Sequence, residues 1–241
     1  MSNHTIFIAD LHLSQDIPKT KEIFDRLVNE ITEETDALYI LGDLFQFWVG
    51  DDDRSFFNEE VKITLKKISN KTPIYLMNGN RDFLLDGTFS EESGCILISD
   101  PFAFDLYGKR TLLTHGDLLC TKNVKYRLFR FLIRIPFGLK IFLKFPLKFR
   151  TWFARNLQKY SAKSKKKKSK KTLAPQLTAA KKLLTNFKAQ QIIHGHIHIE
   201  ETEEFTFNNK KSIRISLGEW SNKGRLLIYK KDHSFGFSPL T

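Results

Sequence analysis

The sequence predicts an α/β fold in which short buried strands alternate with helices. Apolar runs that are largely β-branched or aromatic recur at residues 5–9, 37–41, 73–77, 110–114 and 191–193. Runs of this length and composition are typical of strands that are buried on both faces. The first three runs are separated by segments with helical periodicity, and such alternation favours a layered architecture whose functional site lies at the carboxyl ends of the strands.

The helical periodicity is clear in two intervals. Apolar residues recur every three or four positions in 23–31 and again in 61–68, before Pro73. This spacing places them on one face, as in an amphipathic helix that covers a sheet. Residues 96–98 and 101–106 then resemble strands, and a tight turn at 107–109 leads into the run at 110–114.

The C-terminal part of the chain predicts further strands at residues 203–207, 213–217 and 226–229. The pair Asn208-Asn209 separates the first two runs, and asparagine pairs favour the tight turn of a hairpin. We therefore expect a meander that forms a second sheet.

The net charge of +12 is unevenly distributed along the 241 residues. No Asp or Glu occurs between Asp117 and Glu200, where there are 21 Lys and Arg, whereas the rest of the chain has 18 basic and 27 acidic residues. The protein therefore consists of an acidic body and one basic segment. We expect that segment to face an anionic partner, whose identity charge alone does not define.

The basic segment, from residue 122 to about 172, is also rich in Phe, Leu and Ile. Its apolar and basic residues alternate at helical spacing, with Pro136 and Pro146 as breaks, which predicts two or three short amphipathic helices. No apolar run approaches the roughly 20 residues of a membrane span, so we expect the segment to lie on a bilayer or to cap an apolar site. A lysine run at 163–171 and a helix over 173–187 follow.

Length and cysteine usage indicate the class of protein. A chain of 241 residues fits one domain with an insertion better than two domains, so we expect a single domain, residues 1–241. Cys95 and Cys120 lack the spacing of a disulfide framework or a zinc-thiolate site and are expected to be core thiols. The N-terminus lacks the pattern of a secretory signal, and we expect a cytosolic protein.

Asp, His and Asn follow the predicted strands at five places. The fragments are Asp10-Leu11-His12, Gly42-Asp43, Gly79-Asn80-Arg81-Asp82, His115-Gly116-Asp117 and Gly195-His196-Ile197-His198. Each alone is compatible with an ordinary polar turn. Together they supply enough carboxylate and amide oxygens and imidazole nitrogens for two adjacent divalent ions, which is the signature of a two-metal phosphoesterase.

Individual residues of these fragments suit different tasks. The two carboxylate oxygens of Asp43 can bridge two ions, and Gly42 before it allows close approach of the backbone to a site. Asn80 offers a neutral amide oxygen. We expect His194 to be structural rather than a ligand.

The fragments resemble the calcineurin-like metallophosphoesterase superfamily. More narrowly, residues 7–13, 41–52, 79–84 and 194–198 are similar to the UDP-2,3-diacylglucosamine pyrophosphatase family of the lipid A pathway. Arg81 is part of that similarity, because general phosphatases commonly have a His after the Gly-Asn pair.

The resemblance implies a four-layer α/β/β/α sandwich of two mixed sheets, the metallophosphoesterase fold, with an inserted helical lid at about 122–172. It also implies two divalent ions, with manganese as the family's metal. One ion would be held by Asp10, His12, Asp43 and His198, and the other by Asp43, Asn80, His115 and His196.

The resemblance further implies hydrolysis of the diphosphate bond of UDP-2,3-diacylglucosamine by water attack at the α-phosphorus, which gives UMP and 2,3-diacylglucosamine 1-phosphate. Arg81 and Asp43 would be catalytic, with Arg81 as a planar cationic donor to the phosphoryl oxygens, and the lid would hold the acyl chains. Apart from the resemblance, Arg81 is also compatible with an ordinary surface guanidinium. The implied substrate contacts are Asn80, Arg81, Asn123, Ser161, Lys165, Lys168 and His196. The implied location is the cytoplasmic face of the bacterial inner membrane, as a peripheral protein on an anionic surface, with no nucleic acid and no obligatory protein partner.

Two other functions remain compatible with the residues. A nuclease or nucleotide phosphodiesterase could use the lysine run to bind phosphates and the aromatic residues to stack bases. The aliphatic residues that accompany the aromatic ones at helical spacing favour lipid instead. A membrane-binding scaffold is the non-enzymatic alternative, and the complete ligand set argues against it.

Overall fold

In the computed structural model, which describes residues 3–121, 135–166 and 174–241, two β-sheets are stacked face to face. The strands are β1 (His4–Ile8), β2 (Thr35–Leu41), β3 (Ile74–Met77), β4 (Cys95–Ile98), β5 (Phe102–Leu106), β6 (Lys109–Thr114), β7 (Gln191–His194), β8 (Glu201–Phe207), β9 (Lys210–Ser216), β10 (Gly224–Lys230) and β11 (Phe235–Leu240). The described helices are α1 (Pro18–Glu30), α2 (Phe56–Ser69), α3 (Gly87–Ser93), α4 (Pro136–Leu143), α5 (Leu147–Lys166) and α6 (Leu177–Phe187), with a 3₁₀ turn at Asp117–Leu119.

Both sheets are mixed. The first has the strand order β11-β10-β1-β2-β3-β4, in which β1 to β4 are parallel and β10 and β11 are antiparallel. The second has the order β5-β6-β7-β9-β8, with parallel β6, β7 and β9 between two antiparallel edge strands. The parallel strands of each sheet point their carboxyl ends toward one edge, which is where polar side chains can meet.

Alternate side chains of the central strands face different layers of the core. On β1, Phe7 lies between the two sheets, whereas Ile6 and Ile8 belong to the cluster formed with α1 and α2. On β7, Ile193 faces the first sheet and Ile192 packs toward α6. This alternation follows from the two-residue period of a strand and produces four layers, so the predicted α/β/β/α sandwich is confirmed.

The C-terminal strands correct one prediction. The expected meander does not stay in the second sheet, because β8 and β9 pair there whereas β10 pairs with β1 and with β11 in the first sheet. The sequence analysis did not predict β11, because Gly, Ser and Pro interrupt the apolar residues of 235–240. Periodicity indicates that a segment is a strand, but distant hydrogen-bond partners decide which sheet it joins.

Both predicted hairpin turns are present. Tyr107 and Gly108 have φ values of 54° and 88°, and Asn208 and Asn209 have φ values of 49° and 57°. Two successive residues with positive φ are the feature of the type I′ turn, whose twist matches that of the flanking strands. The turns join β5 to β6 and β8 to β9.

The described part of the inserted segment, residues 135–166, is helical, with one difference from prediction. Pro136 lies at the start of α4, and Pro146 separates α4 from α5, as expected. However, α5 has 20 residues and is not short, since no Gly or Pro occurs within it. The helix predicted from residue 173 is described only from Leu177 onward, after Pro175, which disfavours helical backbone in the residue before it. None of the helices in the described ranges combines the length and apolarity needed to cross a bilayer.

Cys95 and Cys120 are both buried in the core, as predicted.

The contact between the two sheets allows a test of the core. Phe7 is 0% exposed and stacks on Tyr39 with ring centroids 5.1 Å apart. We expect Phe7→Ala to lower the free energy of unfolding by about 3–5 kcal/mol, because it removes apolar contacts and leaves a cavity.

Phe56→Ala is the matched control, since Phe56 is 79% exposed and the same change there should cost under about 0.5 kcal/mol. Urea unfolding of both variants measures the difference. Equal losses in the two variants would contradict the described stacking of the sheets.

Candidate metal centre

The polar fragments converge where the parallel strands of both sheets end. Asp10, Asp43 and Asn80 follow β1, β2 and β3 of the first sheet. His115 follows β6 of the second sheet, and the 195–198 loop follows β7. Because the two sheets face each other, ligands from five loops meet at one edge of the sandwich, as the strand pattern predicts.

The first group of ligand atoms comes from Asp10, His12 and His198. The Oδ1 atom of Asp10 lies 3.4 Å from Nε2 of His198 and 4.0 Å from Nε2 of His12. The two imidazole Nε2 atoms are 3.3 Å apart. Three possible ligand atoms therefore surround one position.

The second group surrounds Nε2 of His115. This atom lies 3.1 Å from Oδ1 of Asn80, 3.2 Å from Nδ1 of His196 and 3.8 Å from Oδ1 of Asp43. The other carboxylate oxygen of Asp43, Oδ2, lies 3.9 Å from Nδ1 of His12 in the first group. Asp43 thus lies between the groups, as a bridging carboxylate would.

The donor set fits divalent cations. Asp10 Oδ1 and His12 Nδ1 are buried, and among the described residues they have no hydrogen-bond partner. His115 Nδ1 lies 2.9 Å from the Leu41 carbonyl oxygen, so it donates its proton there and presents the Nε2 lone pair to the centre. Carboxylate and amide oxygens combined with imidazole nitrogens suit manganese or similar ions.

Charge interactions at the centre also favour a cation. Burial disfavours the charged forms of His115 and His198, but the carboxylates around them outweigh burial and raise the pKa of each imidazole to about 9. For His115 these are Asp43 and Asp10, and for His198 they are Asp10 and Glu219. Burial likewise works against ionisation of Asp10, yet its close contact with His198 and the charges of the neighbouring histidines lower its pKa. Acids that attract protons to imidazoles will also attract a metal ion, which displaces those protons.

The backbone at the centre is strained. Five of the seven candidate ligands have positive φ, although none is glycine: Asp10 (54°), His12 (51°), Asp43 (53°), His196 (72°) and His198 (62°). A left-handed backbone conformation in such residues is uncommon and costs on the order of 1–3 kcal/mol each. Here it turns the side chains toward a common point directly after a strand has ended.

Gly42 explains how the loops approach so closely. Its φ is 87°, and a Cβ atom there would lie 2.7 Å from the Cα of Gly79 and 2.7 Å from Nδ1 of His115. Any larger residue would push apart the loops that carry Asp43 and Asn80. The predicted close approach of backbone at Gly42 is confirmed.

Comparison with known proteins identifies the family. The family model of the calcineurin-like phosphoesterases matches residues 4–200. A UDP-2,3-diacylglucosamine hydrolase of Coxiella burnetii (strain Dugway 5J108-111) is 35% identical over 96% of this chain and 96% of its own. The chain belongs to the UDP-2,3-diacylglucosamine hydrolase family.

Other members of this hydrolase family show the same extent of similarity. The proteins of Aliivibrio fischeri (strain MJ11) and Escherichia coli O7:K1 are 38% and 36% identical, over 93% and 95% of both chains respectively. Among solved structures, an archaeal phosphodiesterase matches over 98% of this chain and 99% of its own, with a TM-score of 0.51 at 13% identity. That likeness supports the fold.

In this member of the hydrolase family, Arg81 is held beside the candidate metal ligands. Its Nε atom lies 3.4 Å from Oδ2 of Asp43, and its Nη1 atom donates to Oε1 of Gln46 at 2.5 Å. The backbone N–H of Arg81 also donates to Asp43 Oδ1 at 2.9 Å. The guanidinium is therefore fixed by contacts with Asp43 and Gln46, next to the candidate ligands.

His194 lies outside the ligand groups, as expected. It is fully buried, its Nδ1 lies 2.9 Å from the Gly195 carbonyl oxygen, and its Nε2 accepts from Nη1 of Arg214 at 3.0 Å. Burial, together with the charge of Arg214, lowers its pKa to about 4, so the imidazole is neutral. These contacts connect the start of the 194–198 loop with Arg214 on β9.

Asp82 positions two ligand loops, a role that the sequence analysis did not assign. Its carboxylate is 0% exposed and accepts backbone N–H bonds from Gly79 at 2.7 Å, Leu44 at 2.6 Å, and Asp43 and Phe45 at 3.3 Å. Burial and then the charge of Asp43 raise its pKa to about 6. Its place in the Gly-Asn-Arg-Asp fragment was the available signal.

Glu219 is a second residue that the sequence analysis missed. Its Oε2 atom lies 2.5 Å from Nδ1 of His198, so the carboxylate orients the imidazole and leaves Nε2 for the centre. The next residue, Trp220, donates its backbone N–H to the Asp10 carbonyl oxygen at 3.1 Å. No local pattern marks Glu219, because its partner is distant in sequence.

The implied lid contacts are only partly described. Asn123 and Lys168 lie outside the described residues. Ser161 and Lys165 lie in the last turns of α5, where the backbone alone is described.

Glu219 provides a test of metal binding. Glu219→Gln should weaken affinity for Mn²⁺ about 10- to 100-fold, because the amide cannot accept the His198 proton as strongly as a carboxylate does. Isothermal titration of the metal-free protein with MnCl₂ measures the change. Glu204→Gln, at an exposed position of β8, is the matched control and should bind as the parent does. Equal affinities in all three proteins would exclude a role for Glu219 at the centre.

Asp82 provides a test of loop positioning. Asp82→Asn turns an amide N–H₂ toward backbone donors, so we expect the free energy of unfolding to fall by about 1–3 kcal/mol. Asp86→Asn, the same change at an exposed position nearby, should fall within about 0.5 kcal/mol of the parent. Chemical denaturation in EDTA separates this effect from metal binding, and no loss in Asp82→Asn would refute the assigned role.

Proposed function

We propose that the protein is a hydrolase of UDP-2,3-diacylglucosamine in lipid A biosynthesis. Water attacks the α-phosphorus of the diphosphate, and the products are UMP and 2,3-diacylglucosamine 1-phosphate. The observation that carries the proposal is the convergence of seven candidate ligands beside Arg81, in a chain whose curated relatives are named UDP-2,3-diacylglucosamine hydrolases. We further propose one catalytic domain, residues 1–241, with a lid at about 122–172.

The candidate ligands are proposed to hold two Mn²⁺ ions. Asp10, His12, Asp43 and His198 hold one, and Asp43, Asn80, His115 and His196 hold the other. When bound, two divalent ions supply the Lewis acidity that activates water and offsets negative charge on the phosphoryl oxygens.

The chain's own residues bind and orient the diphosphate. The planar guanidinium of Arg81 donates to phosphoryl oxygens, and its hydrogen bond to Gln46 fixes its orientation before substrate arrives. Asn80 and His196, on neighbouring loops, complete the polar contacts to this group. Asp43 is only 1% exposed, so charges at the centre interact in a medium from which water is largely excluded.

The lid is proposed to bind the acylated half of the substrate at an anionic membrane surface. On α4 and α5, the ring centroids of Phe142 and Phe153 lie 5.6 Å apart, and those of Phe149 and Trp152 lie 5.9 Å apart. Trp152 is 60% exposed, which is unusual for so large an apolar side chain unless it contacts another apolar phase.

Lys140 on α4 and Lys144 at its C-terminal end are exposed, and each basic residue near an anionic bilayer contributes about 1 kcal/mol. These features support a peripheral location at the cytoplasmic face of the inner membrane. Asn123, Ser161, Lys165 and Lys168 remain the proposed lid contacts to substrate, and no nucleic acid or obligatory protein partner is proposed.

Hydrolysis of UDP-2,3-diacylglucosamine in ¹⁸O-labelled water tests the reaction. With MnCl₂ we expect turnover and the label in UMP, and EDTA should abolish it. Asp43→Asn should lower kcat on the order of 10²- to 10³-fold, because an electrostatic element of the centre is lost. Asp86→Asn is the matched control.

Two results would contradict the proposal. Label in the diacylglucosamine phosphate would place the attack at the other phosphorus. Absence of turnover, together with metal-dependent cleavage of DNA that is lost in Asp43→Asn, would establish the nuclease alternative.

A further inference from the structure

Arg150 on α5 is buried despite its charge, whereas the other basic side chains described between residues 137 and 160 are exposed. It is 2% exposed, and its guanidinium reaches out of the lid to the body of the protein. A buried guanidinium requires a full set of acceptors, because its transfer from water is otherwise very costly.

The acceptors come from both the body and the lid. Nη1 donates to the Val49 carbonyl oxygen at 2.5 Å and to Oδ1 of Asp52 at 2.8 Å, and Nη2 donates to the other carboxylate oxygen of Asp52. Nε donates to the Phe145 carbonyl oxygen at 2.9 Å, which closes the turn between α4 and α5. The planar fork of Arg suits this arrangement, and a Lys ammonium could not reach all of these oxygens.

The body loop is shaped to receive this side chain. Gly50 has a φ of 136°, and a Cβ atom there would collide with Nη1 of Arg150 and lie 2.9 Å from Cδ2 of Leu143 on α4. Leu139 and Phe142 of α4 pack against the helix-side core beside the same loop. Arg150 therefore joins both lid helices to residues 49–52.

The same loop contacts the catalytic side of the molecule. The backbone N–H of Trp48 donates to the Arg81 carbonyl oxygen at 3.0 Å, and its indole N–H donates to Oδ1 of Asp51 at 2.9 Å. Asp51 in turn accepts from the backbone N–H of Phe89 at 2.7 Å. Asp51 thus fixes the loop to the body while Asp52 fixes it to the lid, so contacts run continuously from Arg150 to Arg81.

We propose that Arg150 is a positioning residue, which sets the lid helices relative to the metal centre through Asp52 and the Val49 carbonyl group. It touches neither substrate nor the reacting atoms. Its effect is on the binding of the acylated substrate, whose apolar part needs the lid in place. The inference rests on the proposed function in this one respect, that the lid binds the acyl chains.

Substrate size provides the first test. In Arg150→Gln we expect KM for UDP-2,3-diacylglucosamine to rise on the order of 10- to 100-fold, which corresponds to lost hydrogen bonds of a charged group, with little change in kcat. Hydrolysis of bis(p-nitrophenyl) phosphate, a small soluble diester that needs no lid, should be unchanged. Arg110→Gln, the same change at an exposed position of β6, is the matched control.

Asp52→Asn provides an independent variant, because the Asp52 side chain is 61% exposed and its loss should leave the body folded. Asp52→Asn should also raise KM for UDP-2,3-diacylglucosamine, but by less than Arg150→Gln does, because the Val49 carbonyl oxygen remains as an acceptor for Arg150. The double variant with Arg150→Gln should be no worse than Arg150→Gln alone, as expected for residues that act through one contact.

Hydrogen exchange provides a readout that does not depend on the substrate. Backbone amides of α4 and of residues 147–160 should exchange faster in Arg150→Gln than in the parent, with β1 to β3 unchanged. If the exchange of the lid amides is unchanged in Arg150→Gln, the inference is overturned. This readout holds whether or not the parent protein hydrolyses UDP-2,3-diacylglucosamine, so it separates a failure of the inference from a failure of the proposed function. A parallel loss of activity on the small diester would also overturn it, because Arg150 would then support the centre itself.

Discussion

The buried carboxylate of Asp82 is the contact on which the geometry of the centre depends. Four backbone N–H groups from the loops after β2 and β3 point at its two oxygens, and these loops carry Asp43 and Asn80. In a region with little water, each such hydrogen bond is stronger than at the surface, and the network fixes both loops together. Without it, the side chains of Asp43 and Asn80 would move independently of each other.

This hydrogen-bond network helps to hold the ligand loops in a strained backbone conformation that the loops would not keep without the surrounding structure. Five candidate ligands have a left-handed backbone conformation, and each such residue works against folding. The four-layer core supplies the opposing stabilisation, because the strands that end at Asp10, Asp43 and His196 are buried on both faces. A strained loop at the end of a well-packed strand can aim a ligand precisely, since the strand fixes where the loop begins.

The sequence predicts those features that depend only on residues close together in the chain. A buried strand followed by Asp, His or Asn is visible over about ten residues, so all seven candidate ligands could be named from sequence, and so could the turns at Gly108 and Asn208-Asn209. Glu219, by contrast, meets His198 only after β9 has paired with β7. The sheet membership of β10 and the pairing of Arg150 with Asp52 depend in the same way on contacts between distant residues.

The loop from Trp48 to Asp52 attaches the insertion to the body at a place outside the candidate ligand set, so the two parts of the molecule can vary separately. A two-metal centre selects only for a phosphate ester or anhydride, and a fold shared with other phosphoesterases does not define which one. The acid-free insertion is attached to the body through Asp52, at a loop that also contacts Arg81. Because the attachment lies outside the ligand set, the lid and its apolar surface can change without disturbing Asp10, Asp43 or the histidines. Under the proposed function, such a change would alter which lipid is bound without moving the candidate ligands.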